Sequence, residues 1–398
     1  MDSISADPTI ARRTLIVGSF AAATVAALGI AAFRPTEGKS DAKALLEQAR
    51  ILRSQNTRET QNQAIGLARE AVRQDPSNAT AWGELGYAQA TASRWRQEAE
   101  SRSLREQATM SGQRALDLDP GNAKGELALA TALPLCGTDS WLARADGIKR
   151  SLDRAPSDPD ALVEQAFILR FTGHCAEAAA VCARLQTRHR TPPLYNIWIR
   201  ALWSAGQSAE RDRKLAEAAG LYPTNKMLWY TRFEVLAFGG RPDEAVALAQ
   251  DARGRPEVVT ESEAQDLVLL AAALGSRHAA QIDDLMGKLL TGARIGIRAA
   301  TNALRVASLT GRLDDAFTLA QAYYFARGFT VGGELGGGLF VSQSQRHTNY
   351  LFEPPLSPMW KDRRFGLLIE ELGLERYWRE ARKPPDFRGL AALSFPKG

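Results

Sequence analysis

Residues 239–252 read GGRPDEAVALAQDA, and residues 310–323 read TGRLDDAFTLAQAY. Both stretches run in the same order: a glycine, a short basic linker, an acidic pair, then small residues returning every three or four positions. The glycine suits a tight turn between two helices, because it takes positive φ without strain. The acidic pairs Asp243-Glu244 and Asp314-Asp315 begin the helix that follows, where negative charge complements the helix dipole. Ala245, Ala249 and Ala252, like Ala316 and Ala320, then fall on one helical face and allow a close neighbour.

Outward from these stretches the same glycine recurs. Gly137, Gly173, Gly206, Gly240, Gly275 and Gly311 are spaced 36, 33, 34, 35 and 36 residues apart. Prolines mark the opposite phase: Pro76, Pro120, Pro156, Pro223 and Pro256 each stop one helix and open the next unit. The unit is helix, glycine turn, helix, proline turn, repeated about every 34 residues. The unit from Glu261 keeps only the spacing, and residues 91–114 carry extra length that predicts a longer helix pair.

This period and these residues resemble the tetratricopeptide repeat. AWGELGYAQA (81–90), with Trp82, Leu85 and Gly86, is similar to the first helix of that repeat; AIGLAREAVRQDP (64–76) and EAVALAQDARGRP (244–256) are similar to its second. The resemblance implies an all-α fold, an α-solenoid of stacked antiparallel helix hairpins in a right-handed superhelix, with seven to eight units across residues 43–329. Residues 330–398 break the period. TVGGELGGGLF (330–340) lacks G-x-G-x-x-G spacing and is expected to be a flexible loop rather than a dinucleotide site. From Leu351 the chain resembles the terminal segment of bacterial tetratricopeptide regulatory proteins. Phe365, Leu368, Leu372, Leu374, Tyr377 and Trp378 are expected to cap the exposed end of the last repeat.

Residues 14–33, TLIVGSFAAATVAALGIAAF, hold no charge and match the length of a bilayer-spanning helix. Arg12 and Arg13 precede them and orient residues 1–13 to the cytoplasm by the positive-inside tendency. Two readings stay open: a single-pass inner-membrane anchor with the repeats in the periplasm, or a twin-arginine-like export signal leaving a soluble periplasmic product. A helix buried in the fold is the third and poorest. Residues 34–42 are a polar linker. Their Gly38-Lys39-Ser40 lacks the earlier glycine of a P-loop, since Phe33 stands at that place.

The composition is that of a folded chain: 398 residues, 45% hydrophobic and 24% charged. A net charge of +5 spread without a basic run gives nucleic-acid binding no support. Cys136, Cys175 and Cys182 are too scattered for a disulfide framework and read as small buried hydrophobes. No metal-ligand spacing connects His174, His189, His278 and His347; His174 and His278 are expected at surface turns. No nucleophile elbow occurs, and the pairs Asp243-Glu244, Asp283-Asp284 and Asp314-Asp315 are explained by helix starts. No catalytic residue, cofactor or metal is therefore expected.

The resemblance also implies that the first helix of each hairpin lines a concave groove taking a protein or peptide partner. The glycine phase places Phe167 and Arg170; Asn196, Arg200 and Trp203; Tyr230, Glu234 and Phe238; and Arg298, Thr301 and Arg305 on that face. Aromatic area beside guanidinium forks suits peptide recognition. The expectation is a non-enzymatic scaffold or adaptor, tethered through residues 14–33 unless these are cleaved. A sensory module or an envelope assembly factor is the alternative.

Overall fold

The computed structural model describes residues 39–135, 140–185 and 190–390. Arg12, Arg13, the apolar run 14–33, Cys136, the turn at Gly137 and His189 lie outside these. Among the described residues no helix is long and apolar enough to cross a membrane.

Sixteen of the described helices pair into eight hairpins: α1 (Lys39–Gln55) with α2 (Arg58–Gln74), α3 (Ala79–Ser93) with α4 (Glu98–Leu118), α5 (Ala123–Ala132) with α6 (Ser140–Arg154), α7 (Pro159–Phe171) with α8 (Cys175–Leu185), α9 (Pro192–Ser204) with α10 (Ser208–Leu221), α11 (Lys226–Phe238) with α12 (Pro242–Gln250), α13 (Glu261–Ser276) with α14 (Ala279–Ala293), and α15 (Ile297–Leu309) with α16 (Leu313–Phe325). This is a helical-repeat, tetratricopeptide-like arrangement. The extra length near residues 91–114 sits in α4, which runs for 21 residues.

Local chemistry starts the first helix of most hairpins. In the P-x-N/D turns the side chains of Asn78, Asn122, Asp158 and Asn225 accept from backbone N–H groups three residues on, and Thr191 and Thr260 do the same. Such caps satisfy N–H groups that a helix start otherwise leaves orphaned. The turns within hairpins use glycine at positive φ at Gly173, Gly206, Gly240 and Gly311. Gly275 breaks this expectation. It lies inside α13, and Arg277 takes the left-handed turn instead, at φ 53°. The acidic pair Asp283-Asp284 is likewise not at a helix start: it lies past the first turn of α14, where Asp283 pairs with Arg312 and Asp284 with Lys288.

First and second helices differ in burial. α11 buries ten of its residues, from Leu228 to Phe238, whereas α10 buries only Arg211, Lys214, Leu215 and Ala218. In this middle part of the array the first helices form an inner layer, whereas α13, also a first helix, buries only five of its residues. Packing around α3 is close: a Cβ added at Gly86 would come within 3.0 Å of Ala128 Cβ and of Gly112 N.

The C-terminal region departs most from expectation. Residues 334–340 are not an open loop but a two-stranded antiparallel hairpin, β1 (Glu334–Gly336) and β2 (Leu339–Phe340), whose turn uses Gly336, Gly337 and Gly338 at positive φ. A strap of 3-10 turns follows over residues 341–361. Then come α17 (Arg363–Glu371), α18 (Leu374–Glu380) and α19 (Asp386–Leu390). α17 does meet the last repeat, through Arg364 to Asp314 and over Phe317. The rest runs back along the superhelix. Trp141 Nε1 donates to Leu372 O, Trp378 Nε1 donates to Thr172 O, and Asp386 accepts from Ala176 N. The segment therefore closes the superhelix onto its third and fourth hairpins, beyond capping its end. His174 is buried by this closure, with its ring nitrogens on Thr172 and the Lys383 carbonyl, and is no surface residue; His278 is exposed.

Candidate functional site

The concave face divides into two parts. Its C-terminal part is filled by the chain's own strap. Leu351, Phe352, Leu356 and Met359 are buried there, and each such side chain contributes roughly 1.5–3 kcal/mol of apolar burial. Glu353, 1% exposed, reaches the first helices. Its carboxylate accepts from Arg305 Nε at 2.9 Å and Nη2 at 2.7 Å, and from Arg200 Nη1 at 3.2 Å. Arg200 also donates to Glu234 at 2.5 Å, and Asn196 accepts from Arg200 Nε at 3.1 Å. Burial alone would push the Glu234 carboxyl up, but Arg200 and Arg305 outweigh it and bring it down to about 2.

Most of the residues read from sequence as groove-lining are turned onto this chain. Arg200, Glu234, Arg305 and Asn196 converge around Glu353, and Phe238 lies under the Arg305 guanidinium at 5.4 Å. Tyr230 forms a separate pair: the Arg298 guanidinium sits 3.3 Å from its ring centroid, and its hydroxyl donates to Glu263. Trp203 and Thr301 are buried, the latter donating to Arg298 O. Arg170 is buried with no hydrogen-bond partner at Nε or Nη1. Phe167 is the member of this set that lines an open cleft.

That space is a cleft of about 570 Å³ on the N-terminal part of the same face. It runs from Glu47, Arg50 and Ile51 on α1 across Tyr87, Arg94 and Trp95 to Asp160, Val163 and Phe167 on α7 and Ile197 on α9. The size suits a few side chains of a ligand. Tyr87 forms its floor, with the Arg53 guanidinium 4.5 Å and the Lys124 ammonium 5.1 Å from its ring centroid. Below lies Glu84, which takes Arg50 at 2.8 Å and Arg53 at 3.2 Å. Asp160 takes Arg53 at 2.5 Å and Lys124 at 2.8 Å. Burial would raise the Asp160 carboxyl, yet these two cations hold it well below the usual carboxylate range. Glu164 binds Arg94 through two hydrogen bonds and accepts from the Tyr87 hydroxyl. Asp158 caps α7 and also holds Lys124.

Each of these carboxylates is spent on cations, so none is poised as a general base. Among the described residues no group of three or more His, Cys, Asp or Glu could hold a metal ion. Cys175 and Cys182 are buried and unbridged, and burial pushes both thiols up to about 12. What the cleft offers is a shaped surface with aromatic area, one exposed aliphatic rim residue and fixed charge.

The sequence reading missed this cleft because it began the groove at Phe167. A signal was present. Arg50 and Glu84, Lys124 and Asp158, and Arg200 and Glu234 are each 34 residues apart and each pair in space. Opposite charges one repeat apart on first helices trace the inner face through the early hairpins as well.

No protein-family model matches the chain, and no curated protein matches it in sequence. Solved structures to which it is similar include yeast Tom70, at 10% identity and a TM-score of 0.41, over 73% of this chain and 61% of that one. A second is Naa15/Naa10 bound to HypK-THB, at 11% identity and 0.27, over 84% and 58%. A third is the P58(IPK) TPR domain, at 11% identity and 0.21, over 86% and 100%. The chain thus spans less than two thirds of the first two. Its helical-repeat arrangement rests on its own hairpins, described above.

Proposed function

We propose that this chain is a non-enzymatic interaction scaffold that takes a protein or peptide partner in the N-terminal cleft of its concave face. The observation that carries this reading is the division of that face: the strap covers the C-terminal part, while the cleft of about 570 Å³ stays open. Its pinned ion pairs would present a surface already ordered, which lowers the entropic cost of binding. Ile51, 56% exposed on the rim, offers an apolar contact.

The test compares two equally drastic surface changes. Ile51→Asp places a charge on the cleft rim; Met110→Asp places one on α4, a second helix, at a residue 65% exposed. Affinity capture with the full chain should lose a specific partner with Ile51→Asp and keep it with Met110→Asp. Equal recovery from both variants would overturn the assignment of the cleft.

In this proposal residues 14–33 tether the scaffold to the inner membrane or export it, and the repeats work in the periplasm. The charge-free run behind Arg12 and Arg13 supports that reading. Protease treatment of spheroplasts carrying a C-terminally tagged chain tests it. A full-length, membrane-bound, digestible product means an anchor; a soluble one about thirty residues shorter means a cleaved signal. A protected product rejects both.

A further inference from the structure

Between the open cleft and the strap lies one buried arginine, Arg170, that no carboxylate pairs with directly. Arg170, on α7, is 5% exposed, and neither Nε nor Nη1 has a hydrogen-bond partner. One turn before it on the same helix, Phe167 borders the cleft and lies 4.2 Å from the Phe171 ring. The His347 ring of the strap sits 6.0 Å from Phe167 and 5.0 Å from Phe171, and its Nε2 is buried without a partner. Arg94 covers the other side of Phe167 at 4.7 Å, its Nε also unpartnered.

The neighbouring carboxylates are committed elsewhere. Glu164 is held by both terminal nitrogens of Arg94 and by Tyr87. Glu353 is held by Arg200 and Arg305. A guanidinium stays protonated near neutral pH, so Arg170 is a buried charge without a directly paired carboxylate, with Glu353 acting on it only from beyond hydrogen-bond range. Burial and the repulsion of Arg200 bring it down only to about 10. Uncompensated charge in such a place is strongly unfavourable.

We propose that this cluster holds a small oxyanion, a phosphate-type or carboxylate group. It enters through the cleft past Phe167 and is gripped by Arg170, with Arg94 Nε and His347 Nε2 as further donors. Planar guanidinium forks match both anion types. A bound anion would join α7 to the strap, so the ligand would fasten the closed superhelix. The inference is independent of the partner proposed for the cleft.

The test titrates the purified full chain, in mild detergent, with sodium phosphate, sodium sulfate and sodium acetate against sodium chloride at equal ionic strength. Calorimetry gives affinity and a thermal melt gives stabilisation. Saturable binding of phosphate and sulfate assigns a tetrahedral anion; binding of acetate alone assigns a carboxylate. Arg170→Met should weaken binding about tenfold or more, the loss expected for a charge-assisted hydrogen bond. Without anion, the same variant should be no less stable than the wild type, because it removes an unbalanced charge. If Arg170→Met fails to fold, Arg170→Lys keeps the charge without the fork and should show the weakened affinity. The proposal is overturned if none of the three anions binds the wild type more than chloride does, or if the folded variant binds as the wild type does.

Discussion

Glu353→Ala tests the closure of the superhelix at its most concentrated point. The carboxylate accepts three hydrogen bonds from Arg200 and Arg305 and is 1% exposed. Removing one member of a buried ionic network costs about 3–5 kcal/mol, because the remaining charges stay buried and underpaired. Here the damage is cushioned. Arg200 keeps Glu234 at 2.5 Å and Asn196, while Arg305 keeps Asn302 at 3.1 Å and Glu234 at 3.5 Å. The lower end, ~3 kcal/mol, is therefore expected. A repeat array need not unfold in one step, so a single melting midpoint is a poor readout. Hydrogen exchange resolved by peptide is the better assay. Exchange across residues 343–361 should rise roughly a hundredfold, while α1 to α4 keep their protection. Glu353→Gln, which retains an acceptor, should show a smaller rise. Unchanged exchange in the strap would refute the claim that this network holds it. An equal loss of protection in α1 to α4 would refute the claim that the network acts locally.

Four further perturbations follow from the same geometry. His347 is held neutral in the folded chain by burial and by Arg170, Arg94, Arg346 and Arg200, its proton affinity depressed to about 3. The unfolded chain takes up that proton below about pH 6.5, so wild-type stability falls as pH drops from there towards 3, by about 2 kcal/mol at pH 5. His347→Phe should flatten that slope in urea titrations at several pH values; an unaltered slope rejects it. Glu234 works through a lower window: its contribution is complete above about pH 4.5 and is lost as pH falls towards 2, so the stability gap between wild type and Glu234→Gln should narrow there. Asn225→Ala should destabilise by ~1 kcal/mol through loss of the α11 cap, whereas Gln207→Ala, at a helix start without a side-chain cap bond, should be neutral by the same denaturation measurement. Gly240→Ala carries only backbone strain at φ +84°, ~1–2 kcal/mol, while Gly173→Ala adds contacts of 3.0 Å to Pro385 and 3.2 Å to Phe352. Hydrogen exchange at the substituted turn should rise further in Gly173→Ala; equal rises would mean that the C-terminal segment does not press on that turn.

The repeat was legible because a hairpin returns the same demands at a fixed interval. Turn glycines, proline breaks and small residues on one face are local requirements, and local requirements leave periodic traces. Where one trace failed, a substitute met the same demand: Arg277 adopts the left-handed turn that Gly275 was expected to supply. The inward direction of Arg200, Glu234 and Arg305 was legible for the same reason, since Arg200 and Glu234 stand one period apart on equivalent helices. What those residues face was not. Glu353 lies 153 positions from Arg200 and 48 from Arg305, and neither interval belongs to the repeat.

This difference has a physical source. A solenoid contact joins neighbours in sequence, whereas the strap makes one aperiodic set of contacts to many repeats at once. Its composition gives little warning, because an apolar, aromatic segment can cover the end of the last hairpin or fill the inside of the whole array. Two features show that it does more than cover that end. Trp141 and Trp378 place indole donors on backbone carbonyls across 231 and 206 residues, fixing α17 and α18 against the third and fourth hairpins. Glu353 then brings a buried carboxylate to arginines that would otherwise face one another across the concave surface. A segment that only capped the end would leave Arg200 and Arg305 sharing Glu234 alone, two guanidinia to one carboxylate. The second carboxylate balances the pair, and that balance is what makes an arginine-lined inner face compatible with a closed superhelix. Arg170 stands outside the balance, which is why the unpaired charge, and any ligand that answers it, belongs at the junction between the filled part of the face and the open one.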